Sequence, residues 1–157
     1  MNLQAQTISI SGQVRITAVD AQGNTVYDSG WVKNQVTNYA ASAVAQWLTG
    51  KNNSGFSPVL PPAYTELGTG TGTPSPTDTN LFTPVTATNQ WCATFTNPSA
   101  GVAQWTSQYF GTINNAGSYT EEGLFDANGN LWAHLVEAVT ITQGLATTIV
   151  WQWTVTV

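Results

Sequence analysis

At both ends of the chain, side chains alternate in character with a period of two. From Thr7 to Val19, Ile8, Ile10, Gly12, Val14, Ile16 and Ala18 fall on one side, and Ser9, Ser11, Gln13, Arg15 and Thr17 on the other. From Leu145 to Val157, Ile149, Trp151, Trp153, Val155 and Val157 share a face, opposite Val150, Gln152, Thr154 and Thr156. Only an extended strand separates neighbours in sequence onto opposite faces, so these stretches predict long strands with one covered face. Asp20-Ala21-Gln22-Gly23-Asn24 supplies an acceptor side chain and a left-handed glycine, the needs of a tight hairpin turn. Thr25 to Val36, carrying Tyr27 and Trp31, returns as the partner strand.

From Gln90 onward the strand signal is almost continuous. Trp91 to Thr96 is one run, and Ala103, Trp105, Ser107 and Tyr109 share a face in the next. Tyr119 to Phe125, Leu131 to Thr142 and Leu145 to Val157 follow, separated by turns at Asn114–Gly117, Asp126–Asn130 and Gly144. Several strands joined by Gly/Asn turns predict a mainly β fold, an antiparallel sandwich or barrel of jelly-roll-like type. The segments Val19–Val26 and Phe125–Trp132 look alike; two hairpins solving the same turn problem account for this without an internal repeat. One short helix is expected near residues 38–49. Thr37 or Asn38 can cap it, Ala40, Val44, Trp47 and Leu48 form an apolar stripe, and Gly50 with Lys51 suits its end.

The whole chain of 157 residues reads as one domain, with an N-terminal arm at 1–6 and a long Pro/Gly-rich loop at 52–84. That loop holds Pro58, Pro61, Pro62, Pro74, Pro76 and Pro84, and a short strand is expected near Tyr64–Leu67. It is either a solvated linker or an element that reaches over a neighbouring subunit. Its run Gly68-Thr69-Gly70-Thr71-Gly72-Thr73 lacks the Gly-Lys-Ser/Thr ending of a phosphate loop and the strand-to-helix setting of a dinucleotide site.

Charge limits the possible partners. Only 7 % of residues are charged, and three basic side chains stand against eight acidic ones; ordinary soluble domains carry roughly 25 %. Nucleic acid and anionic membranes are therefore excluded as expected partners. No apolar run approaches the roughly 18 residues of a membrane span. The stretch Met1–Gln6 reads as no signal peptide, so synthesis in a cytoplasm is expected. A surface so poor in like-charge repulsion suits a subunit packed against others. Seven tryptophans exceed what a core of this size needs, which points to some at contacts with other chains.

Reactive groups are sparse. Cys92, the single cysteine, reads as a small buried residue beside Trp91, and one Cys with one His makes a zinc site improbable on composition. His134 lies in the Leu131–Thr142 run, as a packed or surface residue, and no Gly-x-Ser-x-Gly elbow accompanies it. Glu121 and Glu122, adjacent in a strand, should face opposite ways, a poor geometry for a glycosidase pair. Asp126-x-Asn128-x-Asn130 with Glu137 at the twelfth position resembles a calcium loop, but its glycine is fourth and not sixth, and the turn explains the pattern. No catalytic residue, cofactor or metal is assigned.

The order of motifs carries a resemblance. Thr65-Glu66-Leu67-Gly68-Thr69-Gly70-Thr71-Gly72-Thr73-Pro74-Ser75-Pro76-Thr77-Asp78-Thr79-Asn80-Leu81 resembles a segment of small structural proteins of tailed bacteriophages. It is followed here, as there, by a Thr-Glu-x-Gly-Leu-Phe-Asp-Ala-x-Gly block at Thr120–Gly129 and by a closing Trp153-Thr154-Val155-Thr156 strand. Val32-Lys33-Asn34-Gln35-Val36-Thr37, leading into a small helix, also fits, so the likeness spans residues 30 to 157. The resemblance implies a non-enzymatic virion protein and carries over no catalytic or ligand residue. Within it, a capsid decoration (cement) protein fits best: a homotrimer on the outer capsid surface, bound to the major capsid protein and to copies of itself. The expected contacts are Met1 and Leu3 in the arm and Tyr64, Leu67, Leu81 and Phe82 in or beside the loop. A tail, fibre-base or neck component is the alternative, followed by a carbohydrate-binding module and, more distantly, a glycosidase.

Overall fold

A computed structural model describes residues 9–49, 59–85, 88–92, 94–110, 116–142 and 144–156. The arm at 1–6, with Met1 and Leu3, lies outside these residues, as do Gly50, Lys51 and the first part of the 52–84 segment.

The expected hairpin forms β1 (Ser9–Val19) and β2 (Thr25–Val36), and α1 (Asn38–Thr49) follows. Then come β3 (Pro62–Gly68), β4 (Gln90–Trp91), β5 (Thr94–Ser99), β6 (Val102–Phe110), β7 (Gly117–Tyr119), β8 (Glu121–Asp126), β9 (Leu131–Leu135), β10 (Val139–Ile141) and β11 (Ala146–Thr156). The molecule is mainly β, as expected of a sandwich or barrel. Nine strands form one antiparallel sheet in the order β4-β3-β8-β9-β2-β1-β11-β6-β5, curled into a half-barrel, while β7 and β10 pair separately.

The two alternating ends of the sequence lie side by side at the centre of this sheet. β1 and β11 are in register from Ser9↔Thr156 to Val19↔Ala146. Their inward residues Val14, Ile16, Ile149, Trp151 and Trp153 are buried, whereas Val155, at the sheet end, is exposed. Each fully buried aliphatic side chain contributes about 1.5–3 kcal/mol. Four indoles cross the core in sequence, Trp105–Trp153 at 5.4 Å, Trp153–Trp132 at 5.6 Å and Trp132–Trp47 at 5.3 Å between ring centroids. They tie β6, β11 and β9 to the helix.

The Asp20 and Asp126 turns are built alike. In each, the Asp carboxylate accepts the backbone N–H groups two and four residues on, at 2.8–3.0 Å, together with the side-chain amide of the closing asparagine. Gly23 (φ 82°) and Gly129 (φ 83°) occupy the left-handed position. Local turn chemistry thus accounts for the likeness of the two segments.

Three expected strands divide. Trp91–Thr96 becomes β4 and β5, which lie at opposite edges of the sheet. Tyr119–Phe125 breaks at Thr120, and Leu131–Thr142 breaks after Leu135, so that β7 and β10 leave the large sheet to pair with each other. The break at Thr120 has a visible cause: its N–H donates to Gly68 O (3.0 Å) and its hydroxyl to Gly70 O (2.7 Å), fastening it to the neighbouring segment. The helix starts as expected, with Ala40 N–H reaching Thr37 Oγ1 at 3.3 Å. Its stripe is covered only in part. Ala40 and Ala43 are buried, Val44 is half-buried, but Trp47 and Leu48 are 45 % and 67 % exposed.

Candidate functional site

Two features of the fold gather chemistry: a polar cluster under the 69–85 segment, and two exposed aromatic side chains on the edge strands β4 and β5.

The cluster begins with β8. A strand with one solvated face alternates in burial, but all six residues of β8 and all five of β9 are buried. One face looks into the half-barrel. The other is covered by residues 69–85, which fold back over their own sheet: Thr69 N–H donates to Thr83 O and Val85 N–H to Leu67 O, both at 2.9 Å. Leu81 packs there with Phe125, Leu131 and Tyr64 as a small second core. The segment expected to be a linker or a reach across a neighbour thus has, in its described part, a place on this chain's own sheet.

Glu121 is the anchor of that cover. Its carboxylate is fully buried and accepts three backbone N–H groups from the segment, Gly70 (2.8 Å), Phe82 (2.8 Å) and Thr83 (2.7 Å), besides facing His134 Nε2 at 3.0 Å. Burial pushes its pKa up, but the N–H groups of Thr83, Phe82 and Gly70 and the bond to His134 outweigh that and hold it below the usual carboxylate range. This close approach explains the glycine run. A Cβ on Gly70 would stand 2.6 Å from Glu121 Oε1, and one on Gly68 would stand 2.5 Å from it.

His134 bridges to a second carboxylate. Its Nδ1 lies 2.8 Å from Asp78 Oδ2, which also accepts the Ser75 N–H at 2.8 Å. The ring is fully buried, with Phe82 against it at 4.7 Å between centroids. Glu66, 5 % exposed, faces the same side, and burial, with Glu121 nearby, raises its pKa. Sequence reasoning placed His134 as a packed or surface residue; it is packed, but between two carboxylates. Nothing in the local sequence marks Asp78 as its partner, 56 residues away.

Glu121 and Glu122 differ sharply, as opposite faces of a strand allow. Glu122 is fully buried toward the interior, and neither carboxylate oxygen has a hydrogen-bond partner. Burial, with Glu137 nearby, pushes its pKa up to about 8.

The interior also joins the two halves of the curl. Thr65 Oγ1 on β3 lies 2.9 Å from Tyr109 OH on β6, and Ser107 Oγ on β6 lies 3.5 Å from Cys92 Sγ, whose own N–H donates to Ala63 O of β3 at 2.9 Å. Cys92 is thus a buried seam residue, and burial raises its thiol pKa. Flanking this seam, Trp91 on β4 and Phe95 on β5 are 62 % and 59 % exposed, and Tyr64 lies 5.7 Å from Trp91.

Of the residues expected at subunit contacts, Leu67 (0 %) and Leu81 (4 %) are buried within this chain, Tyr64 is half-buried and Phe82 is 42 % exposed. Trp91 and Phe95 were not singled out from the sequence, although a Trp and a Phe beside a run of Thr and Asn were visible there. No helix among the described residues is long and apolar enough to cross a membrane. Comparison with protein-family models, with curated proteins and with solved structures returns no match.

Proposed function

We propose that this chain is a non-enzymatic structural protein of a tailed-bacteriophage particle, a capsid decoration subunit that binds the major capsid protein and its own copies as a homotrimer on the outer shell. The observation that carries this reading is the pair of largely bare aromatics, Trp91 and Phe95, at the sheet edges of a chain with only 7 % charged residues. Exposed aromatics beside strand edges, without charges to keep copies apart, favour burial against another protein. The resemblance to phage structural proteins supplies the kind of assembly. Its two longest motifs meet in space: Thr65–Gly68 pairs beside β8, and the stretch that follows folds over that strand, with Gly70 N–H donating to Glu121 and Leu81 packed on Phe125. They therefore serve as a folding signature, which fits a structural role.

The polar cluster supports the absence of an enzymatic role. Both ring nitrogens of His134 face carboxylates in a site closed to solvent, so neither is free to serve as a general base. The test is a density map of the intact particle. Density for this chain on the outer shell, contacting the major capsid protein, is expected. Density in the tail or neck would replace decoration with a tail-associated role, and a chain absent from particles would remove the reading.

The contact surface has its own test. Trp91→Ser together with Phe95→Ser is expected to cost about 1–4 kcal/mol of folding stability, because each ring is part-covered and Trp91 packs against Tyr64, so occupancy is compared where both proteins are folded. Occupancy on particles, measured by co-sedimentation at limiting subunit, should fall at least about thirtyfold in apparent affinity if either is an interface anchor. Undiminished occupancy would eliminate this edge as the contact.

A further inference from the structure

We propose that the cleft between the Ile10/Val36 end of the β1–β2 pair and α1 binds an uncharged peptide segment. In it, Asn34 pairs with the side-chain amide of an asparagine or glutamine, and an aliphatic neighbour of that residue lies along the helix. The inference is independent of the virion reading. The cleft has a volume of about 650 Å³, within the range of roughly 300–1,000 Å³ usual for ligand sites. Ile10 and Val36 line it from the strands, and Val44 and Leu48 from α1. Leu48 is the uncovered end of the helix stripe, 67 % exposed. Among the described lining residues Lys33 is the one charged side chain, and it is exposed.

Asn34 supplies the specificity. Both polar atoms of its side-chain amide are buried, and neither has a hydrogen-bond partner among the described residues. An amide buried unpaired costs stability until something bonds it. It lies over Gly12, its neighbour in the β1–β2 register, where a Cβ would collide with it. Both residues line the cleft. The terminal torsion of an asparagine is broad, so the amide can turn from above Gly12 toward the cleft. Its N–H and C=O stand side by side on one edge. A second primary amide presents the matching C=O and N–H, and two hydrogen bonds form at once. A carboxylate only accepts, and would leave Asn34 Oδ1 unpaired. A trans backbone peptide group points its N–H and C=O in opposite directions. The chemistry therefore selects an asparagine or glutamine side chain, and the aliphatic walls select what adjoins it.

Nitrogen-15 NMR of the full chain, titrated with acetyl-leucyl-glutamine methylamide, tests this. Saturable shifts are expected at the Asn34 side-chain amide, Gly12, Val44 and Leu48, with a dissociation constant of about 1 mM. The glutamate analogue has the same shape with a carboxylate, and should bind at least about tenfold more weakly. So should the analogue with alanine for leucine, which lacks the isobutyl group. Asn34→Leu should weaken the glutamine peptide at least about tenfold. Leu48→Ala trims an exposed side chain, keeps the fold, and should weaken it about threefold. No saturable shift at the cleft up to about 10 mM peptide, equal or tighter binding of the glutamate analogue, or undiminished affinity in Asn34→Leu overturns the proposal. Equal binding of the alanine analogue, or an unchanged Leu48→Ala protein, does so too, because the helix wall would then take no part.

Discussion

Glu121→Ala should lower folding stability by about 3–5 kcal/mol. The reason is what the carboxylate leaves behind. Gly70, Phe82 and Thr83 each point a backbone N–H at it from the covering segment, and His134 adds a fourth contact. Alanine would orphan all four in a site that excludes water, and each unpaired buried donor costs about 1–3 kcal/mol before the segment relaxes. Relaxation means detaching residues 69–85, which uncovers Leu81, Phe125 and Leu131. Urea unfolding at neutral pH should show the midpoint falling by about 2 M. Glu121→Gln keeps one acceptor oxygen and the shape, so its loss should be smaller than that of Ala. An alanine variant within about 1 kcal/mol of the parent would mean that the segment does not depend on this anchor.

How much of this arrangement is legible in the sequence follows from how each part is encoded. β1 and β11 are read off because one face is dry and one is wet, so the chemistry alternates with the geometry, while β2, which has no buried face, is read off from the hairpin turn that returns it beside β1. The two Asp-x-x-Gly-Asn turns are equally visible, since their hydrogen bonds join residues within four positions. The start of α1 is legible from Thr37, whose hydroxyl caps it. β8 and β9 are harder. Both of their faces are covered, so burial no longer sorts side chains by polarity, and Glu121, Glu122 and His134 sit beside leucines at equal depth. What covers the outer face is a stretch of Thr, Pro and Gly with the composition of a loop. Its hold on the sheet comes from backbone N–H groups meeting one distant carboxylate, and backbone groups leave no signature in a sequence. The glycines at 68 and 70 were the available clue: alternation with threonine marks a backbone that something approaches closely, here Glu121. The exposed end of the helix stripe, Trp47 and Leu48, shows the opposite limit. Periodicity tells which residues share a face, not whether a neighbour reaches that far along it.

The residue next to the anchor should act with the opposite sign. Glu121 has a lowered pKa, so its contribution to stability is present above the ordinary carboxylate range and lost as pH falls through its folded value. Glu122 has its pKa raised from 4.5 to about 8 by burial, with Glu137 adding to it. In the folded chain it remains a neutral acid where the unfolded chain has released its proton. The unfolded state therefore binds fewer protons, and stability falls as pH rises from about 4.5 toward about 8. At pH 7 the interval above the unfolded value is roughly 2.5 units, a penalty of about 3 kcal/mol. Glu122→Gln removes the titration while keeping the shape and polarity. It should match the parent near pH 4, where both side chains are neutral in both states, and exceed it by about 3 kcal/mol at pH 7. Denaturation across pH 4 to 9 reads this as a sloping parent curve beside a flatter variant curve. Glu122→Leu, facing Leu67 and Leu135 across the strands, should flatten the curve in the same way and also relieve the unpaired polar atoms. Parallel curves for parent and both variants would show that Glu122 ionises freely in the folded protein and that the interior beside it admits water.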